Sequence, residues 1–167
     1  MITTLFYPAY LAITFILSLI FIPRKEYKEY LIYGFILGGF GDTVMVAFFQ
    51  DVLHVMWFKN MGVFNVLGHH FLSPPCWTFT VMLFLHFLPT RPVFKYIYIL
   101  TFGFYSVGYG LMVRNAALFD FRPWFYPVVS YFTFLAWWCV AAWVFIRTSP
   151  LAKNDPVGSS EPPPKQW

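Results

Sequence analysis

The feature that most constrains this chain is a series of apolar runs, each close to the length a helix needs to cross a bilayer, separated by short polar breaks. A spanning helix takes about 20 residues, because the hydrocarbon core is about 30 Å thick. Leu5 to Ile22, Leu31 to Phe49, Val93 to Val113 and Trp124 to Ile146 meet that requirement. Of 167 residues, 59% are hydrophobic and only 11% are charged, against about 25% charged in soluble domains. The expectation is an all-α integral membrane protein, with one transmembrane domain over residues 1-147 built as a bundle of five helices; four to six spans fit the run lengths.

The first run has no basic residue before it and no small-residue cleavage motif after it, and it ends at Pro23-Arg24-Lys25. A cleaved signal peptide has the opposite arrangement, so this run reads as a retained helix. Approximate spans are 5-22, 31-49, 71-88, 93-113 and 124-146. The third is the difficult one: between Pro74 and Pro89 a helix has room for about 22 Å, short of the hydrocarbon thickness. Ser73 is a candidate N-cap, with Pro74 at the first helical position where its missing N–H costs nothing. The segment 51-72 then lies at the interface as an amphipathic helix or enters the membrane as a re-entrant piece. Asp51, His54, Lys59, Asn60 and Asn65 favour the interface, since they retain headgroup water there.

Basic residues set the orientation. With five spans, Arg24, Lys25, Lys28, Arg91, Lys95, Arg147, Lys153 and Lys165 fall on one side, and Lys59, Arg114 and Arg122 on the other. The side richer in Lys and Arg is cytoplasmic. The expectation is a cell-membrane, multi-pass protein with its N-terminus outside and its C-terminus in the cytoplasm. Tyr7, Tyr10, Tyr27, Tyr30, Trp57, Trp77, Tyr96, Trp124 and Tyr126 lie near expected helix ends, where amphipathic rings settle at headgroup depth. Residues 148-167, with Pro150, Pro156, Pro162, Pro163 and Pro164, read as a Pro-rich disordered cytoplasmic tail.

The lipid bilayer is the first partner implied. The basic residues sit in short loops rather than on one clustered face, so nucleic-acid binding is not expected. Cys76 and Cys139 fall inside expected helices and read as small packing residues rather than a disulfide or metal pair. No phosphate-binding glycine loop, Gly-x-Ser-x-Gly elbow or His-Glu-x-x-His pair occurs, so standard hydrolase or nucleotide chemistry loses support and any cofactor stays unknown.

The candidate site centres on Asp42. Gly34, Gly38 and Asp42 recur every four residues, so the carboxyl shares the small-residue face on which another helix approaches closely. An acid in the membrane costs about 2.5 to 3.5 kcal/mol on insertion scales and is by default a functional residue; a hydrogen-bonded packing role is the competing reading. Gly41 joins the same glycine-rich segment. Gly103 and Gly110 form a second small-residue face that Arg114 extends, making Arg114 a candidate counter-charge that would have to reach toward Asp42. An Arg so placed more often snorkels to phosphates. His69 and His70 are candidate binding residues on the outer side, although adjacent histidines lack the i, i+4 spacing of a helical metal clamp. His86 is a candidate polar residue in the third helix. The two glycine faces also offer surfaces for a homo- or hetero-oligomer.

An early helix ending in a short basic loop, a glycine-rich second helix carrying a polar residue, and the stretch Val113-Arg114-Asn115-Ala116-Ala117-Leu118-Phe119-Asp120-Phe121-Arg122-Pro123-Trp124 before the last helix resemble the small uncharacterised multi-pass membrane proteins of spore-forming Firmicutes, over Leu31 to Phe145. The resemblance implies topology and brings no assigned chemistry. Where that family has an acid in its fourth helix, this chain has Gly108, Tyr109 and Gly110. The function expected is membrane-embedded binding or transport of a small solute or ion around Asp42. An accessory subunit of a larger complex and a lipid- or quinone-acting enzyme are the alternatives.

Overall fold

A computed structural model of the chain describes residues 2–66 and 68–153. The described residues form five long helices, α1 (Ile2–Phe21), α2 (Arg24–Val52), α3 (Ser73–His86), α4 (Pro92–Asn115) and α5 (Val128–Thr148), followed by the short α6 (Pro150–Lys153). Three of them, α2, α4 and α5, are long and apolar enough to cross a membrane; at 1.5 Å per residue α4 and α5 reach about 36 and 32 Å. Large apolar side chains point outward along them, with Phe104 68% and Trp143 61% exposed. So much contiguous exposed apolar surface fits a protein solvated by lipid. The tail beyond Lys153 lies outside the described residues.

The 14-residue α3 is the centre of the bundle. Cys76, Trp77, Thr80, Val81, Met82, Phe84 and Leu85 are all buried, on every side of the helix. A helix apolar all round is a core helix, which explains how a segment short for a bilayer is accommodated: its neighbours, not lipid, cover it. Polar side chains tie it to the others. Tyr10 of α1 shares hydrogen bonds with Thr80 at 2.7 Å and with Tyr105 of α4 at 2.6 Å. The buried Trp138 indole of α5 donates to Ser106 of α4 at 2.8 Å.

Glycine sets the closest approach. A Cβ on Gly38 would stand 2.4 Å from the Trp77 carbonyl oxygen, and one on Gly34 would stand 2.6 Å from that of Thr78. Here the backbones of α2 and α3 meet directly. A Cβ on Gly41 would stand 2.4 Å from the Trp137 ring of α5, one on Gly103 3.0 Å from Tyr131 and one on Gly110 3.3 Å from Tyr126. The small-residue faces expected to be available for oligomerisation are therefore filled from within the chain. Along α2 the hydrogen bonding widens to π-helix over Gly34–Phe40 and Phe48–Val52, on either side of the α-helical turns that carry Asp42. Such π segments are frequent at functional sites.

The chain is not wholly helical. The segment 51-72 was expected as an amphipathic or re-entrant helix, and instead holds β1 (Met56–Phe58), a 3-10 turn at Gly62–Phe64, and the strands β2 (Asn65–Val66) and β3 (His69–His70), which pair with each other. β1 pairs antiparallel with β4 (Phe119–Phe121) in the α4–α5 loop. Short alternating sequences explain it. Met-Trp-Phe and Phe-Asp-Phe place side chains on opposite faces with period two, so Phe58, Phe119 and Phe121 turn inward while Asp120 turns to the rim. The ladder satisfies backbone groups that a helix no longer serves. It forms a cap over one end of the bundle. Ser73, expected as an N-cap, is instead the first helical residue and makes no capping bond.

Candidate functional site

Asp42 sits on α2, one helical turn beyond the Gly38 contact, facing the first turn of α3, where Ser73 is its hydrogen-bonding neighbour. The glycines fix this position, because a larger residue at 38 would push the two helices apart and carry the carboxyl away from Ser73. Thr43 does not reach it; its hydroxyl donates back to the Gly39 carbonyl at 3.0 Å.

Two cavities meet at Asp42. The inner chamber has a cavity volume of about 100 Å³, with Tyr7, Trp77, Tyr109, Phe134 and Trp137 among its walls and Phe58, Phe119 and Phe121 of the cap as its roof. The second, about 310 Å³, runs between Pro74-Pro75 and the His69–His70 strand. Asp42, Val46, Phe58 and Ser73 line both, so the carboxyl stands at the passage between a histidine-flanked vestibule and an aromatic interior. Tyr109 lines the inner chamber; its hydroxyl is buried, with no hydrogen-bond partner of normal geometry among the described residues, and the Tyr7 hydroxyl interacts with it from outside that geometry. Buried hydroxyls without partners are rare and call for an explanation.

The other residues expected at the site divide cleanly. His70 is 3% exposed, stacks on Tyr7 with ring centroids 3.9 Å apart, and accepts the Leu72 N–H at Nδ1, 3.3 Å away. His69, its strand neighbour, turns to the other face and lies 3.8 Å from Asp51. Arg114 does not approach Asp42. Its guanidinium pairs with Asp120 at 3.3 Å, and Lys59 bonds the same carboxylate at 2.6 Å; the Lys59 bond above all holds Asp120 below the usual carboxylate range. Arg114 therefore closes the cap rather than serving as a counter-charge. His86 lies at the opposite end of the bundle, edge-on to Tyr30 and Phe87, with Nδ1 buried and lacking a hydrogen-bond partner among the described residues. It takes no part in either cavity.

Sequence reasoning assigned Tyr7, Tyr30 and Trp77 to the headgroup belt, and all three are buried. Tyr96 and Trp124 are exposed, as belt residues should be. The cause is physical: the first turn of the short α3, with Ser73 and Trp77, lies under the cap, where Tyr7 stacks on His70, while Tyr30 packs against Phe145 and His86 at the other end. Tyr109 was noticed only as the occupant of a position where an acid was expected. Its one signal was its place between Ser106 and Gly110, on the small-residue face of α4.

Burial pushes the His70 imidazole down to about 4, against 6.5 when exposed. The neutral ring is the native one, as the Leu72 bond to Nδ1 requires. Between about pH 4 and 6.5 the unfolded chain binds more protons, so this contribution to stability is complete above 6.5 and is lost as pH falls toward 4, with a slope of up to about 1.4 kcal/mol per pH unit. Thermal unfolding followed over that range should show the loss. His70→Gln should flatten it; an unchanged slope would assign the pH response to other groups.

Among known proteins, no family model, curated sequence or solved structure matches this chain, so its reading rests on the cavity and the residues around it.

Proposed function

We propose that this is a multi-pass membrane protein of five spans that binds or transports a small solute or ion at Asp42, with its N-terminus outside and its C-terminus in the cytoplasm. The observation that supports the reading is the single carboxyl at the junction of two cavities, with no Lys or Arg among the described residues lining either one. An intramembrane acid that serves packing alone has no need of a chamber beside it. The basic residues at the two ends of the bundle support the orientation, and the cap then faces outward, placing the histidine vestibule on the external side. Resemblance to the multi-pass proteins of spore-forming Firmicutes supports the topology and nothing about chemistry. The accessory-subunit reading loses its main support, because α3 and α5 already fill the glycine face of α2.

A reporter fused after Trp167 should be cytoplasmic and one before Met1 external; both on one side would mean that α3 fails to cross. Binding is tested by solute-dependent thermal stabilisation of the full chain in lipid nanodiscs. The reading requires at least one small solute whose stabilisation saturates and disappears in Asp42→Asn. Stabilisation by no solute, or equal stabilisation of both proteins, would contradict it.

A further inference from the structure

The chamber's chemistry is specific about charge. Among the described residues its carboxyl has no counter-charge: Arg114 and Lys59 are committed to Asp120, and the basic side chains of the described residues on either cavity are His69 and His70, both in the vestibule. Of these, His70 is neutral, with its Nδ1 accepting a backbone N–H. In its ionised form Asp42 has no positive partner among the described residues of the chamber, so a cation there would come from outside them. The walls say what kind. Trp77 packs edge-on to Tyr109 at 5.4 Å and stacks with Phe134 at 6.0 Å, leaving aromatic rings around the carboxyl. Such rings attract cations through their quadrupole, most strongly where water is excluded. A divalent metal such as calcium takes about six to eight oxygen ligands, whereas this chamber offers one carboxylate and a few hydroxyls among rings. An ammonium has few N–H groups to satisfy and carries apolar substituents. Tyr109, whose ring lines the chamber and whose buried hydroxyl interacts with that of Tyr7, supplies a second polar side chain there.

We infer that the Asp42 chamber takes a small organic monocation, a primary or secondary alkyl- or arylammonium, donating hydrogen bonds to Asp42 and Tyr109 with its apolar part against the aromatic walls. This rests on the reading of Asp42 as a binding centre and adds the ligand class. Entry is past the His69–His70 strand, through the vestibule that ends at the carboxyl.

The test uses the full chain in nanodiscs of zwitterionic lipid, with Trp77 and Trp137 in the wall as fluorescent reporters. Phenethylammonium is the charged probe, 2-phenylethanol the neutral probe of the same shape, and sodium chloride at equal ionic strength the control for a bare cation. Phenethylammonium should bind saturably and at least ten times more tightly than 2-phenylethanol. Asp42→Asn should weaken it by about 10 to 150-fold, the worth of a hydrogen bond to a charged group, and leave the neutral probe unchanged. Tyr109→Phe, which keeps the ring, should weaken the ammonium by about five-fold or more. Equal affinity for the two probes, with Asp42→Asn indifferent to both, would overturn the cation inference while a binding chamber stood. Response to sodium alone would replace the organic cation by an inorganic one, again leaving the centre intact. No response to any probe would remove the ligand class and the binding centre together.

Discussion

Gly38→Leu should abolish assembly of the bundle, and even Gly38→Ala should be severely destabilising. A Cβ at this position meets backbone, not a side chain that could swing aside: the Trp77 carbonyl oxygen at 2.4 Å, its carbon at 2.7 Å and the Thr78 nitrogen at 2.9 Å. Relief requires moving α3, whose other faces are packed against α1 and α5. Overpacking a core costs about 1 to 3 kcal/mol where side chains can adjust, and a backbone collision belongs at or beyond the upper end. Gly108 is the internal control. A Cβ there meets nothing within 4 Å, so Gly108→Ala should be neutral or gain up to about 1 kcal/mol from helix propensity. Unfolding of the three variants in detergent would show the contrast, and equal stability of Gly38→Ala and wild type would mean the α2–α3 contact is not as close as described.

Asp42→Asn should separate stability from function. Asn keeps the size and a hydrogen bond to Ser73, and it removes an ionisable group that costs about 2.5 to 3.5 kcal/mol to hold within the membrane. The variant should therefore melt at the same temperature as the wild type or higher. Solute flux into proteoliposomes should fall to background, because the neutral amide no longer distinguishes a cation. A variant that is both stable and fully active would return Asp42 to a packing role. A variant that loses stability would show that the carboxylate itself holds α2 to α3, through Ser73.

What the sequence reveals here follows from which physical rules act locally. Run length and hydropathy are local, and the helical elements α1, α2, α4 and α5 are legible from them. Helical spacing is local too, so Gly34, Gly38 and Asp42 on one face of α2 could be read directly. The contents of the 51-72 segment were not legible, because β1 has only three residues and its partner lies more than sixty positions away at Phe119–Phe121. A strand that short has no periodicity to detect, and it exists because the cap pairs it. The fate of Arg114 depends on the same distant pairing: β4 brings Asp120 beside it, and β1 brings Lys59 to the other side. Tyr7, Trp77 and Tyr109 come from three different helices and converge only once α3 is packed at the centre. Their burial under the cap overrides the usual preference of such rings for the interface.

The most direct test of the central claim is a high-resolution density map of the native full chain in lipid nanodiscs. The account predicts a discrete feature in the inner chamber between the Asp42 carboxyl and the Tyr109 hydroxyl, too short and too enclosed to be an acyl chain, and absent from Asp42→Asn prepared in the same way. A chamber collapsed so that Asp42 and Tyr109 bond directly to each other, or one filled by a lipid tail in both proteins alike, would contradict it.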